Sequence, residues 1–412
     1  MRKILAAAMA LLLGWMPTLG AAQAPQALGP APPTAAAGAP AAPLPPGLPL
    51  PASADMPRDQ LEAFVDGVVR TAMTRDHIVG VTVSIVQNGQ VVLKKGYGFA
   101  DSSGRPVDPD RTLFRLGSIS KTFTWIATLK EVETGRMALD APINRYLPPA
   151  LAVPDSPGWR QVEVRDLMTH TPGFEDRPFD RLFVEDPARV RSLEAQLQQA
   201  RPARVFAPGS TPAYSNYGAA LTGAAVSNLE HAPYQTVIER EIIGPLGLAH
   251  TTFREPYPAR ADLPAPMAAD LAGNRSTGFH WAGAAFQAKP YEFVTQNAPA
   301  GAVSSTAGDM ARYMLMILGG GQLDGETIYG PATAEALRTP LATPDAPAAL
   351  PVDHGFMHIP LPGSFVGHGH GGDTIWFHSM LLTIPELRLG VFVSTNTDTG
   401  APLAAELPAR IV

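Results

Sequence analysis

The chain lacks cysteine altogether, so none of its 412 residues can form a disulfide bond, act as a thiolate nucleophile or ligate a metal through sulfur. It also lacks runs of basic residues, since lysine and arginine are scattered singly and the formal net charge is −6. This charge pattern argues against nucleic acid and anionic membranes as partners. Hydrophobic residues, by contrast, make up 45% of the chain, which is enough to bury a large core.

Two catalytic sequence patterns are missing as well. The chain contains no Gly-x-Ser-x-Gly, so the nucleophile elbow of α/β-hydrolases has no support. It contains no His-Glu-x-x-His, the helical pattern of a large group of zinc proteases. The chemistry of this chain must therefore be sought in other motifs.

The N-terminus has the pattern of an export signal. Arg2 and Lys3 precede an apolar run over 4–19, and the small residues at 20–22 offer a cleavage site. The apolar run is short for a membrane span. We therefore expect a signal peptide over 1–22, a secreted or periplasmic protein, and no membrane span in the mature chain.

A linker and one large domain are predicted to follow the signal. Residues 23–55 are almost wholly alanine and proline, a composition typical of an extended spacer. The predicted domain covers residues 56–412. It starts with a helical pattern over 58–75, which is followed by a hairpin whose tip is Asn88-Gly89.

Strands at both ends of the domain define the predicted fold class. The hairpin contributes strands at 81–86 and 91–93, and a second strand pair is predicted at 380–384 and 389–393. We therefore predict an α+β fold in which an antiparallel sheet, built from both ends of the chain, is flanked by helices. This sheet is expected to pack against a helical subdomain at about 112–300.

One short segment carries the chemistry around which the chain is organised. Ser118 and Lys121 form the only Ser-x-x-Lys in the chain and stand at a predicted helix start. Residues i and i+3 share a helix face, so the lysine amine can lie beside the serine hydroxyl. A serine nucleophile needs a neighbouring group to take its proton, and a lysine whose pKa is lowered by burial can do so. Ser118 is thus a candidate nucleophile.

A proline- and glycine-bounded loop contains the second candidate group. Tyr214-Ser215-Asn216 is the only Tyr-x-Asn in the chain. A tyrosinate beside a lysine ammonium can act as a general base, and an asparagine can donate to a substrate carbonyl. His170, in the segment Leu-Met-Thr-His-Thr-Pro-Gly, is interpreted as a structural residue rather than a catalytic base.

Histidines and glycines cluster near the C-terminus. Glycines at the start of a predicted strand allow a ligand to approach the backbone closely. His368 and His370 share a strand face and His378 follows, which raises the possibility of a metal site. Only Asp373 offers a carboxylate nearby, so this set is unconvincing as a ligand group. The sequence predicts no metal and no other cofactor.

Together these segments resemble the serine β-lactamase and penicillin-binding-protein superfamily, in particular class C β-lactamases and related esterases. The resemblance covers about residues 57–412 and lies in the order of the motifs, which are the hairpin, Gly-Ser-x-Ser-Lys-Thr-Phe, Leu-Met-Thr-His-Thr-Pro-Gly, Tyr-Ser-Asn, Ser-Thr-Ala-Gly-Asp and His-Gly-Gly. It implies that Ser118 is acylated in a cleft between sheet and helical subdomain, and that Lys121 and Tyr214 share proton transfer. It also implies a closing helix at the C-terminal end, which we expect to be clipped at Val412.

The resemblance implies the substrate-binding groups as well. The oxyanion hole would consist of the backbone N–H groups of Ser118 and Asp373, which require no particular side chain. Asn216 would contact the amide or ester of the substrate. These roles are assigned from the resemblance, by the position of each residue in the family motifs.

Two departures from the family pattern bear on the substrate. His370-Gly371-Gly372 takes the place of the Lys-Thr-Gly of the family, and Lys289 is the last lysine in the chain. The fixed positive charge that meets a substrate carboxylate in penicillin-recognising relatives is therefore missing. Trp376 stands where many relatives have glycine and is expected to wall one side of the pocket.

The predicted function is a serine hydrolase that works through an acyl-enzyme intermediate on esters or small amides, as a carboxylesterase-type enzyme. One alternative is a β-lactamase, a D-Ala-D-Ala carboxypeptidase or a D-aminopeptidase. A second alternative, from another class, is a catalytically silent binding module that has kept the fold. The expected partner is a small-molecule substrate, with no nucleic acid involved.

Overall fold

The computed structural model describes residues 55–175, 182–294, 297–342 and 352–412. The predicted signal peptide and all but the last residue of the predicted linker lie outside these ranges. Within the described residues there are thirteen strands: β1 (Gly80–Gln87), β2 (Gln90–Gly98), β3 (Phe114–Arg115), β4 (Phe279–Trp281), β5 (Phe286–Ala288), β6 (Ser304–Ser305), β7 (Gln322–Leu323), β8 (Glu326–Thr327), β9 (Val352–Asp353), β10 (Phe356–Pro360), β11 (Val366–Asp373), β12 (His378–Ile384) and β13 (Leu389–Thr395).

Eleven α-helices lie in the same described part of the chain. They are α1 (Arg58–Arg75), α2 (Ser120–Glu133), α3 (Val164–Met168), α4 (Leu193–Gln199), α5 (Asn216–Glu230), α6 (Tyr234–Ile238), α7 (Ala269–Gly273), α8 (Ala298–Gly301), α9 (Ala307–Leu318), α10 (Pro331–Ala336) and α11 (Ala401–Ile411). Among the described residues, none of the helices combines the length and the apolar character needed to cross a membrane.

Seven of the strands form one antiparallel sheet in the order β2-β1-β13-β12-β11-β10-β9. The N-terminal hairpin therefore pairs with the last strand of the chain, with Val81 opposite Thr395. This arrangement confirms the predicted α+β fold and a sheet built from both ends of the chain. Strand β11, which carries the His-Gly-Gly motif, lies towards the other side of the sheet.

The tip of the first hairpin is the tight turn that its sequence predicts. Asn88 and Gly89 have φ angles of 52° and 77°, both in the left-handed region. Two consecutive positive φ values are characteristic of a primed turn, whose twist matches that of the flanking strands. Asn-Gly tolerates this conformation better than other pairs, so the turn follows from local sequence.

Helices cover both faces of the sheet, which explains why every residue of β1 is buried. On one face α1 contributes Leu61 and Val65 and α11 contributes Leu403 and Leu407 to a common apolar cluster with the strands. Helix α9 packs on the opposite face against β1 and β13. The methionines of α9, among them Met314, are buried in the apolar core on this opposite face.

The N-terminus of α9 is capped by the threonine that precedes the helix. The Thr306 hydroxyl accepts a hydrogen bond from the Asp309 backbone N–H at 3.2 Å, as an N-cap residue should. The Asp309 carboxylate does not return the bond to complete a capping box. It accepts instead from the His250 N–H at 2.8 Å and from the Thr251 hydroxyl at 2.7 Å, and so fastens the preceding loop to the helix.

The helical subdomain is organised around α2. This helix packs against α5 and α8, and the Thr124 hydroxyl on α2 donates to the Pro299 carbonyl at 2.7 Å. The described part of the stretch 250–300 contains the short helix α7 and the small β4–β5 hairpin. The buried start of α2 thus lies between the sheet and the rest of the helical subdomain.

Candidate active site

Ser118 lies in a turn pressed against the end of β11. A single 3₁₀ turn, Gly117–Ile119, precedes α2, so the serine stands two residues before the α-helix rather than within its first turn. Gly117 has a φ of 51°, and a Cβ at this position would lie 2.5 Å from the backbone oxygen of Asp373. Both the conformation and the space therefore require glycine beside the candidate nucleophile.

Gly372 makes the matching approach from β11. A Cβ on Gly372 would lie 1.9 Å from the carbonyl oxygen of Leu116 and 2.9 Å from the amide nitrogen of Ile119. A Cβ on Gly371 would meet nothing closer than the Met380 side chain at 3.4 Å, which is ordinary contact. The two glycines of the motif thus differ, since only Gly372 is needed to bring strand and turn together.

The Lys121 amine makes three close contacts. Its Nζ atom lies 2.9 Å from Ser118 Oγ, 2.8 Å from Asn216 Oδ1 and 2.7 Å from the Ala300 carbonyl oxygen. The side chain is completely buried. Burial lowers the pKa of Lys121 well below the ordinary value of a lysine, because the charged form loses its solvation. Burial therefore shifts the balance from the ammonium towards the neutral amine.

These contacts determine what a neutral amine can do. The Ala300 carbonyl accepts hydrogen bonds only, and so does the Asn216 oxygen as it is oriented here. Together they occupy both N–H groups of a neutral Lys121 amine. Its lone pair is then left to face the Ser118 hydroxyl, which is the arrangement of a nucleophile with its general base.

Tyr214 adjoins the same pair. The Lys121 Nζ atom lies 4.9 Å from the centre of the Tyr214 ring, and the phenol is near enough to the Ser118 hydroxyl for that hydroxyl to affect its pKa. The residue keeps 37% of its surface exposed, while its phenol oxygen lies in crowded surroundings that raise its pKa above the ordinary value. This environment favours the phenol over the tyrosinate, so Tyr214 is better suited to donate a proton than to remove one.

His170 lies closer to the site than its sequence context indicated. Its ring centre is 4.4 Å from that of Tyr214, and its Nδ1 atom accepts a hydrogen bond from the Ser215 N–H at 3.1 Å. Its carbonyl accepts from the Ala213 N–H at 2.8 Å. Burial lowers the pKa of His170, so the ring is neutral. The histidine holds the tyrosine loop in place, a structural role as expected but one next to the reactive groups.

Asn216 is the first residue of α5, and its side chain contacts Lys121. The preceding Ser215 caps the helix by accepting a hydrogen bond from the Gly218 N–H at 3.0 Å. The Asn216 oxygen accepts from Lys121, so its amide N–H groups are the part that can donate to a substrate. The third Lys121 partner, the Ala300 carbonyl, was not predicted, because a backbone oxygen carries no side-chain signal in the sequence.

His370 is buried beside Tyr214. Its ring centre lies 6.1 Å from the tyrosine ring centre, and only 1% of the residue is exposed. Its Nδ1 atom contacts the Gly371 carbonyl, which can only accept, so the ring proton belongs on Nδ1. Burial lowers the pKa of His370 to about 3, because the charged ring would lose its solvation. The ring is therefore neutral and offers an acceptor at Nε2.

Asp373 supplies a negative charge at this end of β11. Its side chain is 67% exposed, and its Oδ1 atom lies 2.6 Å from His378 Nδ1. The carboxylate is near enough to raise the pKa of Tyr214 and to oppose the lowering of the pKa of His370. The site thus combines neutral reactive groups with one exposed acid.

Trp376 is placed against the β4–β5 region. Its ring centre lies 5.3 Å from the Lys289 Nζ atom, and a Cβ on Gly278 would come within 2.6 Å of the Trp376 Cβ. It lines a cavity of about 260 Å³ together with Lys289, Tyr291 and Glu292. Ser118 does not line this cavity. The contribution of Trp376 to the wall of the substrate pocket therefore stays a prediction.

The three histidines grouped by sequence do not converge. His370 turns towards Tyr214, and His378 pairs with Asp373. His368 turns towards Asp353 instead, at 2.5 Å. No metal-binding set of these three histidines forms in the described part of the chain.

The fold and this constellation are of the β-lactamase type, and comparison with known proteins agrees. The sequence profile of the Beta-lactamase family matches residues 65–412. The chain belongs to this family.

Individual relatives carry different names. The esterase EstB of Burkholderia gladioli is 32% identical over 218 residues, which is 50% of this chain and 54% of EstB. The chain thus matches about half the length of that relative. Among solved structures, the octameric penicillin-binding protein homologue from Pyrococcus abyssi has a TM-score of 0.70 at 23% identity, covering 86% of this chain and 77% of its own. A class C β-lactamase has a TM-score of 0.65 at 21% identity, and the match covers 86% of this chain and 98% of the β-lactamase chain. These two structures support the fold.

Proposed function

We propose that the chain is a serine hydrolase that acts through an acyl-enzyme, with Ser118 as the nucleophile and Lys121 as the base that activates it. The observation that carries the proposal is the set of three contacts around the Lys121 amine. Two acceptors hold its N–H groups, so the remaining lone pair is directed at the Ser118 proton. A buried lysine kept neutral in this way has the function of the histidine in other serine hydrolases.

In the proposed reaction, Ser118 Oγ attacks the substrate carbonyl carbon while its proton passes to Lys121. The backbone N–H groups of Ser118 and Asp373 stabilise the oxyanion, since Gly117 and Gly372 bring turn and strand together at this point. Tyr214 then gives its proton to the leaving group and regains one from Lys121. Water hydrolyses the acyl-enzyme by the same proton transfers in reverse.

We propose esters without a carboxylate as the favoured substrates. Lys121, His170 and His370 are held neutral by burial, so the reactive groups supply no fixed positive charge. The exposed charge next to the oxyanion position is the carboxylate of Asp373. A substrate carboxylate would meet repulsion there, whereas a neutral ester would not. The similarity to the esterase EstB also supports ester substrates.

The runner-up is a β-lactamase or a peptidase acting on D-Ala-terminated peptides, which the description of the family favours. It would use the same nucleophile and base, so the two proposals differ only in substrate. A silent binding module is disfavoured by the intact contacts among Ser118, Lys121 and Tyr214.

Labelling with a fluorophosphonate probe tests the nucleophile. We expect one label per chain, located on Ser118 by peptide mapping, and turnover of p-nitrophenyl butyrate that is lost in Ser118→Ala. Ser120→Ala is the matched control, because the Ser120 hydroxyl is tied to Gly117 and Val303 and should not react. A label on another residue, or full turnover by Ser118→Ala, contradicts the proposal. Higher kcat/KM for benzylpenicillin than for the ester favours the runner-up.

A further inference from the structure

Two histidines and an aspartate meet at the edge of the large sheet, away from Ser118. Asp353 lies on β9, and His358 and His368 lie opposite each other on β10 and β11. Both rings turn to the same carboxylate, with His358 Nδ1 at 3.2 Å and His368 Nδ1 at 2.5 Å. One ligand atom from each residue lies within 4.8 Å of the other two.

The burial of this group calls for a positive charge. The Asp353 side chain is fully buried, and that of His368 is 8% exposed. In the described part of the chain, the ion pairs of Asp353 are to these two histidines alone and include no lysine or arginine. An imidazole carries no fixed charge, and a carboxylate is costly to bury without a counter-charge. A bound cation would supply that charge.

We propose that Asp353, His358 and His368 form a binding site for a divalent transition metal, with Zn²⁺ the best match. Two imidazoles and one carboxylate are a donor set that zinc accepts, with a fourth position left for water. His358 keeps 23% of its side chain exposed, which gives an ion and a water molecule access. This site departs from the expectation of no metal that the sequence alone gave.

The distances suit a modest adjustment on binding. Zinc–nitrogen bonds of about 2.0–2.1 Å in a tetrahedron place ligand atoms about 3.3 Å apart. The 3.2 Å between His358 Nδ1 and the Asp353 carboxylate already has this value, whereas the 2.5 Å between His368 Nδ1 and the same carboxylate must lengthen by about 0.8 Å. The widest separation, within 4.8 Å, must close by at most about 1.5 Å, which rotation of the half-buried His358 ring can provide.

The site would clamp three neighbouring strands. The two-residue strand β9 is held to β10 by two residue pairs only, so a metal shared with β11 would fasten the edge of the sheet. His368 is two residues before His370 on β11, but none of the reactive groups around Ser118 is a ligand of the proposed metal. The expected effect is therefore on stability, and it does not depend on the proposed hydrolase function.

Metal binding by the full chain, prepared without a histidine tag and stripped with a chelator, tests the proposal. Titration with Zn²⁺ should show one bound equivalent, and a hundredfold excess over the dissociation constant should raise Tm by about 5 °C. Co²⁺ in place of Zn²⁺ should give the visible absorption of a tetrahedral nitrogen and oxygen site. These readouts need no substrate.

His358→Gln is the decisive variant, because the residue is partly exposed and the variant should fold. It should lose at least about tenfold in Zn²⁺ affinity and the Co²⁺ absorption, whereas His354→Gln, the neighbouring histidine bonded to the Thr339 carbonyl, should keep both. Asp353→Asn should abolish binding if it folds. The absence of Zn²⁺ binding by the wild type, or equal binding by His358→Gln, would show that the cluster is only a hydrogen-bonded brace and overturn the proposal.

Discussion

The Lys121 amine lies 2.8 Å from the side-chain oxygen of Asn216, a residue 95 positions further along the chain. This bond joins α2 to the start of α5 and orients the amine towards Ser118. The helical subdomain therefore has a direct part in the chemistry, because it supplies the lysine and both acceptors that hold the neutral amine. Replacing either partner should disturb proton transfer as well as packing.

Lys121→Met should remove activity while keeping the fold. Methionine fills a similar volume without an amine, so Ser118 loses its base, and we expect kcat to fall by about 10²–10⁴-fold. Loss of fluorophosphonate labelling should accompany it, because groups that act as a unit are strongly non-additive. Lys94→Met, which removes a lysine paired with Asp110 on the surface, should keep full activity. A Lys121→Met enzyme within threefold of the wild type would refute the assignment.

The same variant should change how stability depends on pH. The pKa of Lys121 is lowered in the folded protein, whereas the unfolded chain binds a proton there up to about pH 10.4. Between the lowered pKa of the folded state and about pH 10.4, the unfolded state thus binds more protons than the folded state. In this range the free energy of unfolding rises by up to about 1.4 kcal/mol per pH unit because of Lys121. Urea unfolding at pH 8, 9 and 10 should show this slope in the wild type and a flatter one in Lys121→Met. Parallel curves would mean that the buried lysine is charged.

Tyr214→Phe should lower kcat much more than stability. The substitution keeps the ring that packs on His170 at 4.4 Å and removes only the phenol oxygen, which lies near Ser118. Loss of a proton donor costs about 10²–10⁴-fold. The loss should be smaller for p-nitrophenyl esters than for alkyl esters, because a good leaving group needs less protonation. Equal losses for both ester types, or a loss below about threefold, would leave Tyr214 as a packing residue.

Local patterns predicted the parts of the molecule that short segments determine. Asn88-Gly89 predicts its turn because the conformation depends on those two residues. Ser118 and Lys121 meet because three positions along a helical turn place them on one face, although the serine lies in a 3₁₀ turn. The order of the motifs indicated that Asn216 belongs to the same site, and its side chain contacts Lys121.

Contacts that depend on distant backbone or strand register could not be predicted. The Ala300 carbonyl reaches Lys121 from 179 residues away and has no side-chain signal. His368 was grouped with other histidines by strand spacing, but its partners are set by the register that places His358 opposite it. Asp309 has the spacing of a capping-box residue, yet tertiary contacts to another loop take its carboxylate.

Gly372→Ala should move strand β11 away from the turn that contains Ser118. The added methyl would lie 1.9 Å from the Leu116 carbonyl, so β11 must move away from the Ser118 turn, at a cost of about 1–3 kcal/mol in stability. A displacement of about 1 Å at the oxyanion position can lower kcat by about 10²-fold. Gly371→Ala is the control, because its methyl would meet only the Met380 side chain at 3.4 Å and should cost far less stability. Similar unfolding curves and activities for the two variants would contradict the proposed contact.

His370→Lys tests the choice of substrate. A lysine there would bring a charge-assisted hydrogen bond, worth roughly 1.5–3 kcal/mol against about 1 for a neutral one, to a substrate carboxylate. A gain of about 2 kcal/mol corresponds to roughly thirtyfold in kcat/KM at 1.36 kcal/mol per decade. Asp373 lies near enough to affect His370 electrostatically and would help to keep the new lysine charged.

The measured quantity is the ratio of kcat/KM for benzylpenicillin to that for p-nitrophenyl butyrate, because a ratio cancels general damage to the site. His370→Lys should raise this ratio by up to about thirtyfold, and His370→Met, of similar length but without charge, should not. Asp373→Asn should raise the ratio too, since it removes the exposed negative charge beside the oxyanion position. If the wild type already prefers benzylpenicillin, or if the lysine variant leaves the ratio unchanged, charge does not select the substrate and the esterase proposal gives way to the β-lactamase one.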